Sequence, residues 1–221
     1  MKSEELRVKS EKFATAVMMM QKGCKEFGHR RIIKALSLTL FFTLHFSLFI
    51  LFSSCEVENN ISRDYRCLFA FDTSLHPIPC QLTGILGNPG HFCKVEASMV
   101  NGVRHLKTTR NYDGAAEDIT ISTERERQAN IILGANNSII IGTVSYDNRL
   151  VAYDGQCPNC LKDYSGTSYP LAWKNNGLQL HCAKCDRSYD VNNGVIASGK
   201  GGIQLLTYYA RVDGTVLRAW N

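Results

Sequence analysis

The chain has no long helical periodicity, no low-complexity tract and no run of Lys or Arg outside its first fifty-four residues. It has five prolines and two tryptophans in 221 residues. The missing periodicity excludes a helical bundle or coiled coil, whose apolar positions recur every three to four residues. No Ser-His-Asp order or nucleophile motif can be argued from spacing, so spacing names no catalytic chemistry. Gly199-Lys200-Gly201-Gly202 is glycine-rich, but it lacks the strand–loop–helix setting and the Lys-Ser/Thr ending of a phosphate loop. The formal net charge is +5, and nine of the 25 basic side chains lie in residues 1–54 against four acids. From Cys55 onward 16 basic and 16 acidic side chains balance. That balance excludes a broadly basic nucleic-acid-binding surface on this part of the chain.

One long apolar stretch is present, residues 35–54. It follows the basic cluster Lys22, Lys25, Arg30, Arg31 and Lys34, and Ser53 and Ser54 close it before Cys55. A basic segment, an apolar segment and small residues at the exit mark an export signal. Residues 1–54 are therefore expected to be a leader, with Met18, Met19 or Met20 as alternative starts. Twenty apolar residues also suffice for an uncleaved membrane span, and a buried helix is a further reading. Leu51-Phe52-Ser53-Ser54-Cys55 resembles a bacterial lipobox, with Phe52 in place of the usual smaller aliphatic residue. The resemblance implies lipidation of Cys55 and a membrane partner reached through that lipid. Glu56 and Glu58 resemble the acidic tract that sends some lipoproteins to the surface of the outer membrane. An inner-membrane anchor facing the periplasm is the alternative. Residues 55–65 are polar and read as a tether.

Beyond the tether the pattern is one of short β-prone runs broken by Gly, Asn and Asp. Strands are expected at 66–71, 92–97, 103–108, 118–122, 138–144, 150–154, 178–181, 195–198, 205–212 and 216–220. Asn101-Gly102 and Asp213-Gly214 have the composition of two-residue hairpin turns. Thr123 with Glu126 has the form of a capping box and predicts a helix of two turns. The expected class is all-β, one antiparallel barrel or sandwich over 66–221.

The strongest motif is a pair of Cys-x-x-Cys turns, Cys157-Pro158-Asn159-Cys160 and Cys182-Ala183-Lys184-Cys185. A two-residue gap lets both sulfurs of a turn face one ion, and four thiolates form a soft tetrahedral cage for zinc or iron. A disulfide within each pair is the metal-free alternative. Lys162, Lys184 and Arg187 lie close enough in sequence to offset the cage's negative charge, with simple solvation as the alternative, and Asp163 and Asp186 oppose that effect. The intervening residues 161–181 read as a loop or hairpin. Tyr164, Tyr169, Pro170 and Trp173 are candidates to cover the metal, with ordinary packing of a loop the simpler reading. His181 is a candidate second-layer donor or replacement ligand, with a partly buried strand-end histidine the simpler reading. His76, His91 and His105 are scattered. Cys67, Cys80 and Cys93 read either as small buried hydrophobes or as two disulfide partners and a free thiol.

Residues 138–154 read strand, turn, strand, and end in Ala-Tyr-Asp before Gly155-Gln156-Cys157-Pro158. The second pair continues as His181-Cys182-Ala183-Lys184-Cys185-Asp186-Arg187-Ser188-Tyr189-Asp190, then Asn193-Gly194 and a final pair of strands. This order resembles a Rieske domain over residues 130–221. The resemblance implies an all-β base and a metal-binding subdomain of two loops, 155–190. In that family the loops hold a [2Fe-2S] cluster through Cys-x-His and Cys-x-x-His. Here Cys160 and Cys185 replace the histidines. The expected ligands are Cys157, Cys160, Cys182 and Cys185. The expected metal is a structural zinc, the alternatives being a [2Fe-2S] cluster or a rubredoxin-like single iron with a redox partner protein.

Overall fold

The computed structural model describes residues 61–221, which lie within one folded unit. The leader, the lipidation site Cys55 and most of the tether lie outside the described residues. The fold is all-β and antiparallel, as the sequence pattern predicts. Thirteen strands run in chain order: β1 Cys67–Asp72, β2 Phe92–Val100, β3 Val103–Arg110, β4 Ala116–Ile121, β5 Ile132–Leu133, β6 Ser138–Thr143, β7 Leu150–Asp154, β8 Leu171–Lys174, β9 Gln179–Cys182, β10 Ser188–Asp190, β11 Ile196–Ser198, β12 Thr207–Asp213 and β13 Val216–Trp220. Nine strands form one sheet in the order β4-β3-β2-β6-β7-β12-β13-β1-β5. The other four form a small sheet, β11-β10-β9-β8, inserted between β7 and β12. These two strands are hydrogen-bonded neighbours in the large sheet, with Tyr153 opposite Thr207.

The large sheet encloses a single core. Phe69 and Phe71 of β1, Val95 of β2, Leu106 of β3, Ile119 and Ile121 of β4 and Leu217 of β13 all belong to it. Strands from both ends of the order meet there, so the sheet curls around its own apolar face. A second core lies on the other side of β6 and β7, beneath the small sheet. Alternation assigns the side chains: Ile139, Ile141 and Ala152 face the first core, and Ile140, Val151 and Tyr153 face the second. Every residue of β6 is buried, which is why it reads as a continuous apolar run. Full burial of each isoleucine there contributes about 2 kcal/mol.

Local signals account for the turns. Val100 pairs with Val103, so Asn101-Gly102 is the two-residue loop, with φ of 50° and 78°. The last hairpin departs from expectation by one residue. Asp213 pairs with Val216, which makes Gly214-Thr215 the loop. Asp213 stays on the strand, and its carboxylate meets Arg211 at 2.8 Å and Arg218 at 3.2 Å. The capping box at Thr123 is present, with reciprocal bonds to Glu126, but the helix is the single turn Glu124–Arg127. Thr123 and Glu126 supply the start, and Gln128 already ends the turn. Strands β5, β8 and β10 and the short helices Gln81–Gly84 and Pro158–Asp163 add to the expected elements.

Candidate metal centre

The first ligand turn is set by the end of β7. Asp154 is fully buried, and its carboxylate accepts bonds from the Tyr208 hydroxyl (2.7 Å), the Ala135 amide (2.8 Å) and the Gln156 amide (2.8 Å). Burial pushes its carboxyl pKa up, against the pull of those bonds. Gly155 follows because only hydrogen fits: a Cβ there would lie 2.1 Å from Ser138 Oγ. Cys157 N-caps the helix Pro158–Asp163, and Pro158 occupies the first helical position, where no amide hydrogen is needed. The Leu161 amide bonds Cys157 O and the Tyr164 amide bonds Cys160 O, both at 3.0 Å. The first helical turn thereby brings Cys160 round to the side of Cys157.

The second turn begins where β9 ends, at Cys182. The Cys182 amide donates to Arg187 O and the Asp186 amide donates to Cys182 O, each at 2.9 Å. Asp186 takes a left-handed conformation, φ 56°, which reverses the chain into β10. Cys182 and Cys185 therefore point the same way.

The four sulfurs converge. All lie within 4.8 Å of one another. Cys157 Sγ is 3.6 Å from Cys185 Sγ, and Cys160 Sγ is 3.6 Å from Cys182 Sγ. Metal–sulfur bonds of ~2.3 Å give a tetrahedral edge of ~3.8 Å, so the spacing fits a single tetrahedral ion. Among the described residues this is the one cluster of three or more His, Cys, Asp or Glu groups that can hold a metal. The sulfurs are thiols, so the disulfide alternative for the two pairs is corrected. Cys157, Cys160 and Cys182 are buried, and Cys185 sits at the edge, partly exposed.

Electrostatics differ across the cage. Burial pushes the Cys157 thiol up to about 11, although the Tyr189 hydroxyl, 3.2 Å away, works against it. Burial and the neighbouring thiols push Cys160 upward as well. Cys185 goes the other way, to about 7. Burial raises it, but hydrogen bonds from the Arg187 side chain and amide outweigh burial. Arg187 is itself buried and also donates to Lys200 O (2.8 Å) and Gly201 O (3.2 Å). Of the charges named from sequence, only Arg187 thus bonds a ligand sulfur. Lys162 and Asp163 are exposed, and Lys184 lies over the Tyr164 ring at 4.8 Å.

His181 is turned away from the sulfurs. Its Nδ1 meets Ser188 Oγ at 3.2 Å and its Nε2 meets Asp186 at 3.7 Å, which corrects the reading of it as a ligand. His76 pairs with Glu126 at 2.6 Å and His105 with Asp118 at 2.9 Å. Residues 161–181 contain the hairpin β8–β9. Tyr169 and Trp173 pack against the second core, while Tyr164 and Pro170 are exposed. Cys67, Cys80 and Cys93 are buried free thiols, which decides between the two readings of them and corrects the disulfide one. Cys67 and Cys93 are raised to about 12, chiefly by burial.

Sequence reasoning passed over two parts of the site. Asn159, in the middle of the first pair, is buried and bonds outward to Tyr189 Oη (2.8 Å), Ile203 O (2.7 Å) and Ile203 N (2.9 Å). The glycine-rich residues 199–202 lie against the site, with Arg187 bonding Lys200 O and Gly201 O and Asn159 bonding the next residue, Ile203. A Cβ on Gly202 would sit 2.1 Å from Asn159 Oδ1, and that close approach is the reason for a glycine at that position. No protein-family model matches the chain, and no curated protein matches it.

Proposed function

We propose that the protein is an exported, lipid-anchored β protein that holds one zinc ion through Cys157, Cys160, Cys182 and Cys185. The observation that carries the metal is the convergence of four thiols within 4.8 Å on two separate turns. The compact spacing favours a single ion over a [2Fe-2S] cluster, whose bridging sulfides spread the four terminal sulfurs over two irons. Four protein sulfurs leave no open position for water or substrate, so the ion's work is structural: it ties the end of β9 to the helix after β7. The anchor rests on the sequence alone, on the lipobox-like residues 51–55 and the basic and apolar segments before them. The Rieske resemblance is part of the same reading. Its support is the arrangement of two ligand turns on a small sheet inserted between paired strands of an all-β base.

A rubredoxin-like single iron is the second reading, favoured by the partial exposure of Cys185, which gives electrons a short path to a partner. Elemental analysis of protein purified from its own host distinguishes the two. One zinc per chain and a colourless solution are expected. Iron with visible absorption makes the protein an electron carrier, and the absence of any stoichiometric metal overturns both readings.

A further inference from the structure

The point where the chain enters the domain is fixed by contacts of residues 61–65 with Thr207 and Asn221. Ile61 bridges Thr207 at the start of β12, and the Ser62 amide donates to Thr207 O at 2.8 Å. The C-terminal side chain, Asn221, donates to Ser62 O and Tyr65 O at 2.8 Å and accepts from the Cys67 amide at 2.9 Å. Six peptide units separate Cys55 from Ile61. A lipid on Cys55 therefore keeps Ile61 within about 20 Å of the membrane.

Next to that entry point, the outer face of β12 and β13 carries an aromatic and basic patch. Tyr209, two residues along β12 from Thr207, is half-exposed and stacks on Trp220 at 5.5 Å. Arg211 lies over the Trp220 ring at 5.2 Å. Arg211 and Arg218 share one carboxylate, Asp213, so this group keeps a net positive charge. Amphipathic aromatic rings favour the headgroup layer, where one end is apolar and the other wet. Guanidinium groups with free donors bind phosphate.

We infer that Tyr209, Trp220, Arg211 and Arg218 form a membrane-contact face that lies on the phosphate-bearing headgroup layer. The inference rests on the lipid-anchor reading. The anchor supplies a high local concentration, so a patch too small to bind lipid alone still contacts it for much of the time. The domain is thereby held in one orientation on its membrane.

The test uses the full lipidated chain in phosphatidylethanolamine–phosphatidylglycerol vesicles, with and without brominated lipid. The chain has two tryptophans, so W173F leaves Trp220 as the reporter. A roughly two-fold loss of Trp220 emission on bromination is expected, as for a ring at headgroup depth. The exposed-residue pair Y209S and R211S should restore emission. Should W173F fold poorly, the quenching lost on W220F in the otherwise native chain gives the same quantity. Protein that floats with the vesicles yet keeps its Trp220 emission overturns the contact face and leaves the anchor standing. Protein that does not float removes the anchor, and this inference with it. A signal that follows protein density and ignores bromination assigns the patch to a second copy, which also overturns it.

Discussion

Replacing Cys182 by Ser removes one sulfur from the cage and leaves the rest of β9 in place. Cys182 is buried, and its sulfur is 3.6 Å from Cys160 Sγ. A serine hydroxyl stays protonated at neutral pH and is a harder, weaker ligand for zinc than a thiolate. Structural zinc sites of this kind supply about 10–16 kcal/mol, so a quarter of the ligand set accounts for about 3 kcal/mol. At 1.4 kcal/mol per decade, that is a fall in affinity of about a hundredfold or more. The measurement is a competition titration against a chromophoric chelator, with metal content read in parallel. Cys93→Ser is the control, since that buried thiol belongs to the large-sheet core and is far from the cage in the fold. The expected result is metal loss in the first variant and wild-type affinity in the second. Wild-type affinity in Cys182→Ser would refute the ligand assignment, because a site that ignores one of its four sulfurs does not use it.

Two further outcomes follow from buried carboxylates. Asp154→Ala removes the acceptor for three hydrogen bonds and leaves the Tyr208 hydroxyl buried without its partner, so urea unfolding should show a loss of about 2–4 kcal/mol; a loss under 1 kcal/mol would mean the network is dispensable. Asp72 has its carboxyl pKa lowered, first by the Ser74 hydroxyl and also by Arg125, so its contribution is present above the unfolded carboxylate pKa and is lost as pH falls through the lower folded value. Stability measured from pH 5 down to pH 2 should therefore fall less steeply in Asp72→Asn than in wild type, and parallel curves would contradict that assignment.

Much of the β framework was legible because each strand carries its own signal. The runs at 92–97 and 103–108 interleave apolar and polar residues as half-buried strands do, those at 138–144 and 150–154 are mostly apolar, and the Asn101-Gly102 loop announces its hairpin. The four-cysteine cluster was legible for a similar reason: Cys-x-x-Cys is a local pattern whose chemistry depends on spacing alone. What stayed hidden depends on partners distant in sequence. β5 is two residues long and exists because Cys67 and Leu68 offer it an edge. β10 has only three residues and is defined by its pairing with β9 and β11. Asn159 looks like a gap where the Rieske pattern has a histidine, and its true contacts lie 30 and 44 positions away. The choice between buried thiols and a disulfide for Cys67, Cys80 and Cys93 likewise turned on three-dimensional placement.

The inserted small sheet leaves and rejoins the main body at one spot. Asp154 ends β7 and Thr207 begins β12, while the Asp154 amide bonds Leu206 O at 2.9 Å. The two cut points thus already sit a hydrogen bond apart, as the ends of an ordinary hairpin do. The piece that carries the four cysteines is in this sense a cassette: a short turn could bridge its footprint, and other inserts of similar span could be grafted there. Its removal would bare an apolar wall on the main body, where Phe92, Ile140, Val144, Val151 and Tyr153 would need polar replacements, and would leave Thr109 O and the Asn111 side chain without their bonds to Trp173 and Gly177.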